Sequence, residues 1–294
     1  MKRDKIVDYI RKRPYVYLVI KNLYQFIFFN KFLGQIFWLK ARYLHFMKHF
    51  SYDPCLCGNN EYDIYLDYGK KKMLLCTHCK LIRNFPKPEN GIYEKDMAIA
   101  YQNNPEVGLQ LKEVCMLLKK YVSLDAKILD FGCGDGRAMS FLKELGFKNI
   151  YGLEISNYLS QIAKKYGFPV FNNFNEISSD IHFDVVIANH VFEHILNLDE
   201  VLNAIIILMA NNAVLVALVP NIRSKLMHDS YRDMLWDTHY WQFDPETLKN
   251  IFKTNKLNVI ECKTMIEKPK MGLRISNPQT NGNEGDGLYI IAKK

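Results

Sequence analysis

"KILDFGCGDGRAMSFL", residues 127–142, decides the fold. A short apolar run carries Asp130 near its end and breaks into three glycines at alternate positions, Gly132, Gly134 and Gly136. An amphipathic stretch follows. Glycine accepts positive φ and lets a ligand approach bare backbone N–H groups, and the start of a helix adds further donors. Strand, tight turn and helix in that order put the loop beyond the carboxyl end of a strand, where open α/β sheets bind ligands. The spacing G-x-G-x-G is neither the dinucleotide G-x-G-x-x-G nor a P-loop, which needs Gly-Lys-Ser/Thr.

Outward from this stretch, strand and helix patterns alternate. Strands are expected at "NIYGLEI" (149–155), "PVFNNF" (169–174), "FDVVIANH" (183–190), "AVLVALV" (213–219), "LNVIECKTMI" (257–266) and "GLYIIAKK" (287–294). Helices are expected at "GRAMSFLKELGF" (136–147), "NYLSQIAKKYGF" (157–168), after Asp199-Glu200, and at "PETLKNIFKTN" (245–255). Such alternation predicts an α/β fold: a Rossmann-like, mostly parallel seven-stranded sheet with helices on both faces. The last two strands share a polar loop (269–287), which permits an antiparallel pair at the edge. The uncharged run Val201–Ile222 exceeds the ~20 residues of a membrane span. Asn211-Asn212 at its middle reads as a turn, so a buried helix followed by a buried strand is expected instead.

Charge is unevenly placed. The formal net charge is +8, but residues 1–50 hold eleven Lys/Arg against two Asp/Glu, leaving 28 basic and 29 acidic residues elsewhere. A nucleic-acid surface would spread basic residues over the folded domain, so nucleic acid is disfavoured as a partner. Thirteen aromatics also fall in residues 1–50, which read as a basic aromatic helical segment. Basic plus aromatic suits docking on an anionic membrane surface; packing against the rest of the protein or a second subunit is the alternative. The start lacks an extended apolar core and a small-residue cleavage site, so a secretory leader is not expected.

Of seven cysteines, four cluster: Cys55, Cys57, Cys76 and Cys79. An odd count without a leader argues for a reducing compartment and a cytoplasmic location, peripheral on the inner membrane face where residues 1–50 dock there, and in such a compartment clustered thiolates read as metal ligands. Two close pairs bridged by a hairpin-like stretch form structural zinc sites in zinc ribbons. The first pair is C-x-C rather than C-x-x-C, so His49, Asp53 or His78 could replace a thiolate, and unligated buried thiols are the alternative. This gives three regions: the helical segment 1–50, a zinc-ribbon-like four-cysteine subdomain 51–95, and a domain 96–294.

"LDFGCGDG" (129–136), "YGLEIS" (151–156) and "FDVVIANHVFEHI" (183–195) together resemble the class I S-adenosylmethionine-dependent methyltransferases. The "EH" ending and "VPN" (219–221) are similar to a branch acting on small molecules and sugars. The resemblance implies a cofactor site of Asp130, Gly132, Cys133, Gly134, Gly136, Glu154, Ile155, Asn173, Phe174, Asn189 and His190. In it the glycine loop cradles the methionine part, Glu154 holds the ribose hydroxyls, and Asn173 or Phe174 borders the adenine.

Methyl transfer is an in-line displacement at an activated sulfonium, so alignment supplies much of the acceleration. A hydroxyl acceptor also benefits from a base that titrates near neutrality. Candidates are His239, His194 and Glu193, with Tyr240 and Trp241 lining the acceptor pocket. His190 and His194, at i and i+4, would share a helical face, but "HVFEH" is not H-E-x-x-H and shows no third metal ligand. The expected function is methylation of a hydroxyl on a sugar, glycan or lipid-linked intermediate. N- or C-methylation of a soluble metabolite and a catalytically silent cofactor-binding subunit are the alternatives.

Overall fold

A computed structural model describes residues 52–87, 109–224, 239–266, 274–275, 285 and 287–294. The basic aromatic segment 1–50 lies outside these residues. Three antiparallel strands come first: β1 (Tyr62–Tyr68), β2 (Lys71–Cys76) and β3 (Ile82–Phe85). The helix α1 (Leu109–Leu118) leads into the alternating units. These are β4 (Lys127–Phe131), α2 (Arg137–Glu144), β5 (Asn149–Leu153), α3 (Asn157–Lys165), β6 (Val170–Phe171) and β7 (Phe183–Asn189). After them run α4 (Leu198–Leu208), β8 (Met209–Pro220), β9 (Trp241–Gln242), α5 (Pro245–Thr254), β10 (Asn258–Ile266), β11 (Arg274–Ile275) and β12 (Gly287–Lys293).

The large sheet has the order β11-β10-β12-β8-β7-β4-β5-β6. The pairs β4/β5, β4/β7, β5/β6 and β7/β8 are parallel. β12 runs antiparallel to both β8 and β10, giving the antiparallel edge, and the two-residue β11 adds to β10 beyond the expected seven strands. Period-2 alternation splits the core. Ile128, Val185, Ile187, Val214 and Val216 face one side with Cys115, Met139 and Ala163 of α1, α2 and α3. Leu129, Val186, Ala188, Leu215 and Ala217 face the other with Leu202 of α4 and Phe252 of α5. Burying one such side chain contributes about 1.5–3 kcal/mol, so a one-residue slip in any strand would reverse the whole set.

The uncharged run forms α4 and β8 as expected, and among the described residues no helix is long and apolar enough to cross a membrane. Asn211-Asn212 is not the turn between them. β8 already pairs at Met209 with Phe183, and pairing resumes at Val214 with Val185, so the two asparagines bulge out of a continuing strand. Asn212 takes φ 62°, a left-handed conformation that asparagine tolerates better than most side chains.

β9 joins the small sheet, whose order is β1-β2-β3-β9. Arg83 pairs with Trp241 and Ile82 with Gln242, while Ile222 donates to the Phe243 carbonyl at 2.9 Å. The segment 239–243 therefore ties the cysteine-bearing sheet to the carboxyl end of β8. Asp244 then opens α5 with a capping box: its carboxylate accepts from the Thr247 N–H at 2.8 Å, and the Thr247 hydroxyl accepts from the Asp244 N–H at 3.0 Å.

Candidate active site

Asp130 and Glu154 meet at the carboxyl ends of β4 and β5. Asp130 is 1% exposed, and its Oδ2 has no hydrogen-bond partner among the described residues. Burial, followed by the neighbouring Glu154 charge, pushes its carboxyl up to about 7. Glu154 sits just past β5. Its two oxygens accept from the Gly134 N–H at 2.9 Å and the Ser156 N–H at 2.7 Å, but burial outweighs both and raises its pKa. Asn172 donates to the Glu154 carbonyl at 3.0 Å and to Ser160 Oγ at 2.8 Å, fixing the backbone beneath that acid. Sequence reading missed Ser156 and Asn172; the Ser–x–x–Leu N-cap spacing of α3 was the available signal for the first.

The expectation of bare N–H donors across the glycine turn is corrected. Gly132 and Cys133 both donate to the Leu153 carbonyl (2.8 and 3.2 Å), Gly134 to Glu154, and Gly136 to the Cys133 carbonyl at 3.0 Å. Buried backbone donors pair wherever geometry allows, and here the protein itself satisfies them. Glycine serves close packing instead: at Gly132, φ 75°, a Cβ would lie 2.5 Å from Val191 Cγ2. Gly152 in β5 is held to glycine too, since its Cβ would lie 2.5 Å from Cys133 Sγ. The crevice wall thus offers two buried carboxylates and few free donors. A phosphate would be repelled there, and a cation would be complementary.

At the rim, Phe174 stacks on Phe131 with ring centroids 5.6 Å apart, and Ile155 is 72% exposed. Asn173 caps a short 3-10 turn, accepting from the Asn175 N–H at 3.0 Å and donating to Glu176 at 2.7 Å. Asn189 closes β7, and its buried Oδ1 has no hydrogen-bond partner among the described residues.

Glu193 forms a second centre. It is 1% exposed, within the 3-10 turn Phe192–His194. His190 Nδ1 donates to Glu193 Oε1 at 3.1 Å, and the Nε2 atoms of His194 and His239 each lie 3.9 Å from the same oxygen. Burial would raise this carboxyl, but the His190 hydrogen bond and the charges of all three imidazoles outweigh it and hold it at about 2. The i, i+4 helical relation expected for His190 and His194 does not occur: His190 takes φ 53°, outside any helix. They converge on Glu193 through a turn. The ligand atoms of Glu193, His194 and His239 lie within 4.8 Å of one another, so the fold supplies the third metal-ligating group that the local sequence lacked.

His239 lies two residues before β9, on the segment that links the two sheets. Its carbonyl accepts from Asn84 Nδ2 at 2.8 Å, and the next residue, Tyr240, donates its N–H to the Glu193 carbonyl at 2.7 Å. Trp241, expected to line the acceptor pocket, is core instead: it is 2% exposed and its indole N–H donates to the Ile195 carbonyl at 2.7 Å. Tyr240 does border a cavity, together with Arg83 and Asn84.

The four cysteines converge on the small sheet. Cys55 and Cys79 Sγ are 3.5 Å apart, Cys57 and Cys76 Sγ are 3.6 Å apart, and all four lie within 4.8 Å of one another. Zinc–sulfur bonds of ~2.3 Å in a tetrahedron place sulfurs roughly 3.8 Å apart, so the C-x-C pair fits without a substitute ligand. Burial raises the Cys76 thiol, but the N–H groups of Cys79 and His78 and the Asn59 amide bring it down to about 6, toward the thiolate a metal needs.

A methyltransferase-domain family profile matches residues 99–262, more than half of the chain. The chain belongs to this family. It is an S-adenosylmethionine-dependent methyltransferase. Solved structures share its fold at low identity. An S-adenosylmethionine-dependent methyltransferase from Archaeoglobus fulgidus is 22% identical over 63% of this chain and 93% of its own, with a TM-score of 0.50. The complex of the Haloferax volcanii Trm112 activator with a methyltransferase aligns at 14% identity, 68% and 98% coverage and TM-score 0.53. The plantazolicin methyltransferase BpumL, bound to S-adenosylhomocysteine, gives 15%, 69%, 91% and 0.53. No curated protein matches the chain. The methyltransferase's crevice suits its cofactor: the orphaned Asp130 carboxylate and the Glu154 pair favour a sulfonium and an ammonium over phosphates.

Proposed function

We propose that this methyltransferase methylates a hydroxyl of a sugar, glycan or lipid-linked acceptor, with His239 as the base. The observation that carries the proposal is the Glu193 centre, where one buried carboxylate faces three imidazoles at the mouth of β7. Bound S-adenosylmethionine would supply an activated methyl group; Asp130, Cys133, Glu154 and the turn Gly132–Gly136 would hold it, Ile155, Asn173 and Phe174 would border its adenine, and Asn189 and His190 would close the pocket. His239 Nε2 takes the proton from the acceptor hydroxyl as the oxygen becomes nucleophilic. Glu193 stabilises the resulting imidazolium, and His194, whose ring meets that of His239 edge-on at 4.6 Å, fixes the geometry. General-base assistance of this kind is worth about 10²–10⁴-fold. An acceptor amine, already nucleophilic when neutral, would draw less from such a base.

The four thiolates would hold a structural zinc, stiffening the small sheet that delivers His239 through β9. The basic aromatic residues 1–50 would hold the protein on the cytoplasmic face of an anionic membrane, near a lipid-linked acceptor. Labelled methyl donor, incubated with the protein and fractionated cell lipids and glycans, tests the acceptor by mass spectrometry of the product. Label appearing on an oxygen of a saccharide supports the reading, and label only on nitrogen or carbon refutes it. Deleting residues 1–50 should abolish co-sedimentation with anionic vesicles, and full retention would remove the membrane role.

A further inference from the structure

A cavity of about 370 Å³ lies where the small sheet meets the segment carrying His239. Its charged wall is Arg83, which is 2% exposed. The guanidinium makes a single hydrogen bond among the described residues, Nη1 donating to the Tyr240 hydroxyl at 2.5 Å, and its buried Nε has no partner. No carboxylate among those residues comes within ion-pair distance of it. The guanidinium sits instead over the Tyr62 and Tyr240 rings, 4.5 and 5.7 Å from their centroids. Aromatic faces offset part of the cost of burying a cation, but an ion this buried ordinarily has an anion against it. The other charges on the cavity cancel: Lys87 and Asp53, both largely exposed, pair with each other at 2.5 Å. Asn84 and Tyr240 line the same cavity and hold the backbone of His239 and Glu193, so the cavity opens one residue from the catalytic imidazole.

We propose that this cavity receives an oxyanion, a phosphate or carboxylate carried by the methyl acceptor, with Arg83 as its counter-charge. Arg83 lines the cavity with no carboxylate against it among the described residues, and a guanidinium so placed suits charge-assisted hydrogen bonds to such a group. The proposal rests on the methyltransferase reading of the adjoining site and narrows its acceptor to an anionic one. Anchoring the anion here would set the distance from it to the hydroxyl facing His239, and so select which hydroxyl is methylated. The rival source of negative charge is the cysteine cluster, since Tyr62, whose ring Arg83 covers, pairs across the small sheet with Cys76.

Calorimetric titration of the full chain with inorganic phosphate and, separately, acetate tests the proposal, using unaltered protein and Arg83→Gln. Phosphate or acetate should bind the unaltered chain and weaken about tenfold or more in Arg83→Gln, the loss expected for a hydrogen-bonded charge. Zinc content and S-adenosylmethionine affinity should not change. Preference for phosphate assigns a phosphorylated acceptor, and preference for acetate a carboxylated one. No binding of either anion, binding equal in the variant, or loss of zinc in Arg83→Gln would each overturn the proposal, the last by making Arg83 the partner of the thiolates. Should the variant fail to fold, tungstate soaked into crystals of the unaltered chain decides. A peak within hydrogen-bonding distance of Arg83 supports the proposal and an empty cavity overturns it. Failure of the unaltered chain to bind S-adenosylmethionine would instead remove the cofactor reading and leave the anion result standing.

Discussion

Asp130 and Glu193 are the same chemistry in opposite surroundings. Each is a carboxylate 1% exposed at the carboxyl end of the sheet. Among the described residues Asp130 has no ion-pair partner and an acid, Glu154, beside it, and rises to about 7; Glu193 has three imidazoles around it and falls to about 2. The difference teaches what each still needs. Each leaves one buried oxygen unpartnered among the described residues, but Glu193 has its counter-charges at Oε1, whereas Asp130 has no cation beside it and would be complemented by one from outside.

The largest effect expected from that contrast is on catalysis. Replacing His239 by Ala should lower methyl transfer about 10²–10⁴-fold while S-adenosylmethionine affinity holds, because the base acts on the acceptor. An unchanged rate would break the assignment. Stability should then separate the two acids by sign. Glu193→Gln is expected to destabilise the chain by about 1–3 kcal/mol in denaturant melts at neutral pH, since it removes the charged partner of His190 and the counter-charge shared by the part-buried His194 and His239. The sign follows from linkage: a depressed carboxylate contributes stability present above its unfolded pKa and lost as pH falls toward about 2. Asp130→Asn should stabilise the cofactor-free chain by about 2–4 kcal/mol at pH 8. Here the folded pKa is raised, so the unaltered chain loses stability as pH climbs from its ordinary 3.8 to about 7. Equal signs for the two variants would dissolve the comparison.

Glu154→Ala should weaken S-adenosylmethionine binding about 10–100-fold, because it removes the carboxylate proposed to accept the ribose hydroxyls and frees the Gly134 N–H. The smallest effect on the two acids should come from the metal. Elemental analysis is expected to give one zinc per chain, lost in Cys76→Ser, with a drop in stability but cofactor binding retained. A second ion per chain, lost in His194→Ala, would place it at Glu193, His194 and His239.

How much of this the sequence carried depended on periodicity. β4, β7 and β8 were legible because period-2 burial on both faces yields continuous Val/Ile/Leu runs, and the glycine turn marked the ligand end of the sheet. Asp130, Glu154 and the His-Glu-His residues could be located for the same reason. What the glycines do there was not legible. The N–H groups of Gly132 and Cys133 go to Leu153, a residue 20 or more positions away whose carbonyl only the parallel pairing of β4 and β5 brings close. Arg83 left no trace for a related reason. It gains its meaning from Tyr240, 157 positions away, which only the two-residue β9 brings alongside, a strand too short to show any pattern. Trp241 was misread because an aromatic beside a candidate catalytic histidine looks the same whether it faces a ligand or the core.

One measurement bears most directly on the claim that Asp130 waits for a positive charge. It is calorimetric titration of the full chain with S-adenosylmethionine between pH 5 and 8, repeated in two buffers of different ionisation enthalpy. The account predicts that affinity rises with pH up to about 7 and that binding releases a proton, because the arriving sulfonium holds Asp130 ionised. Binding that is independent of pH with no proton released, or no binding at all, would contradict it.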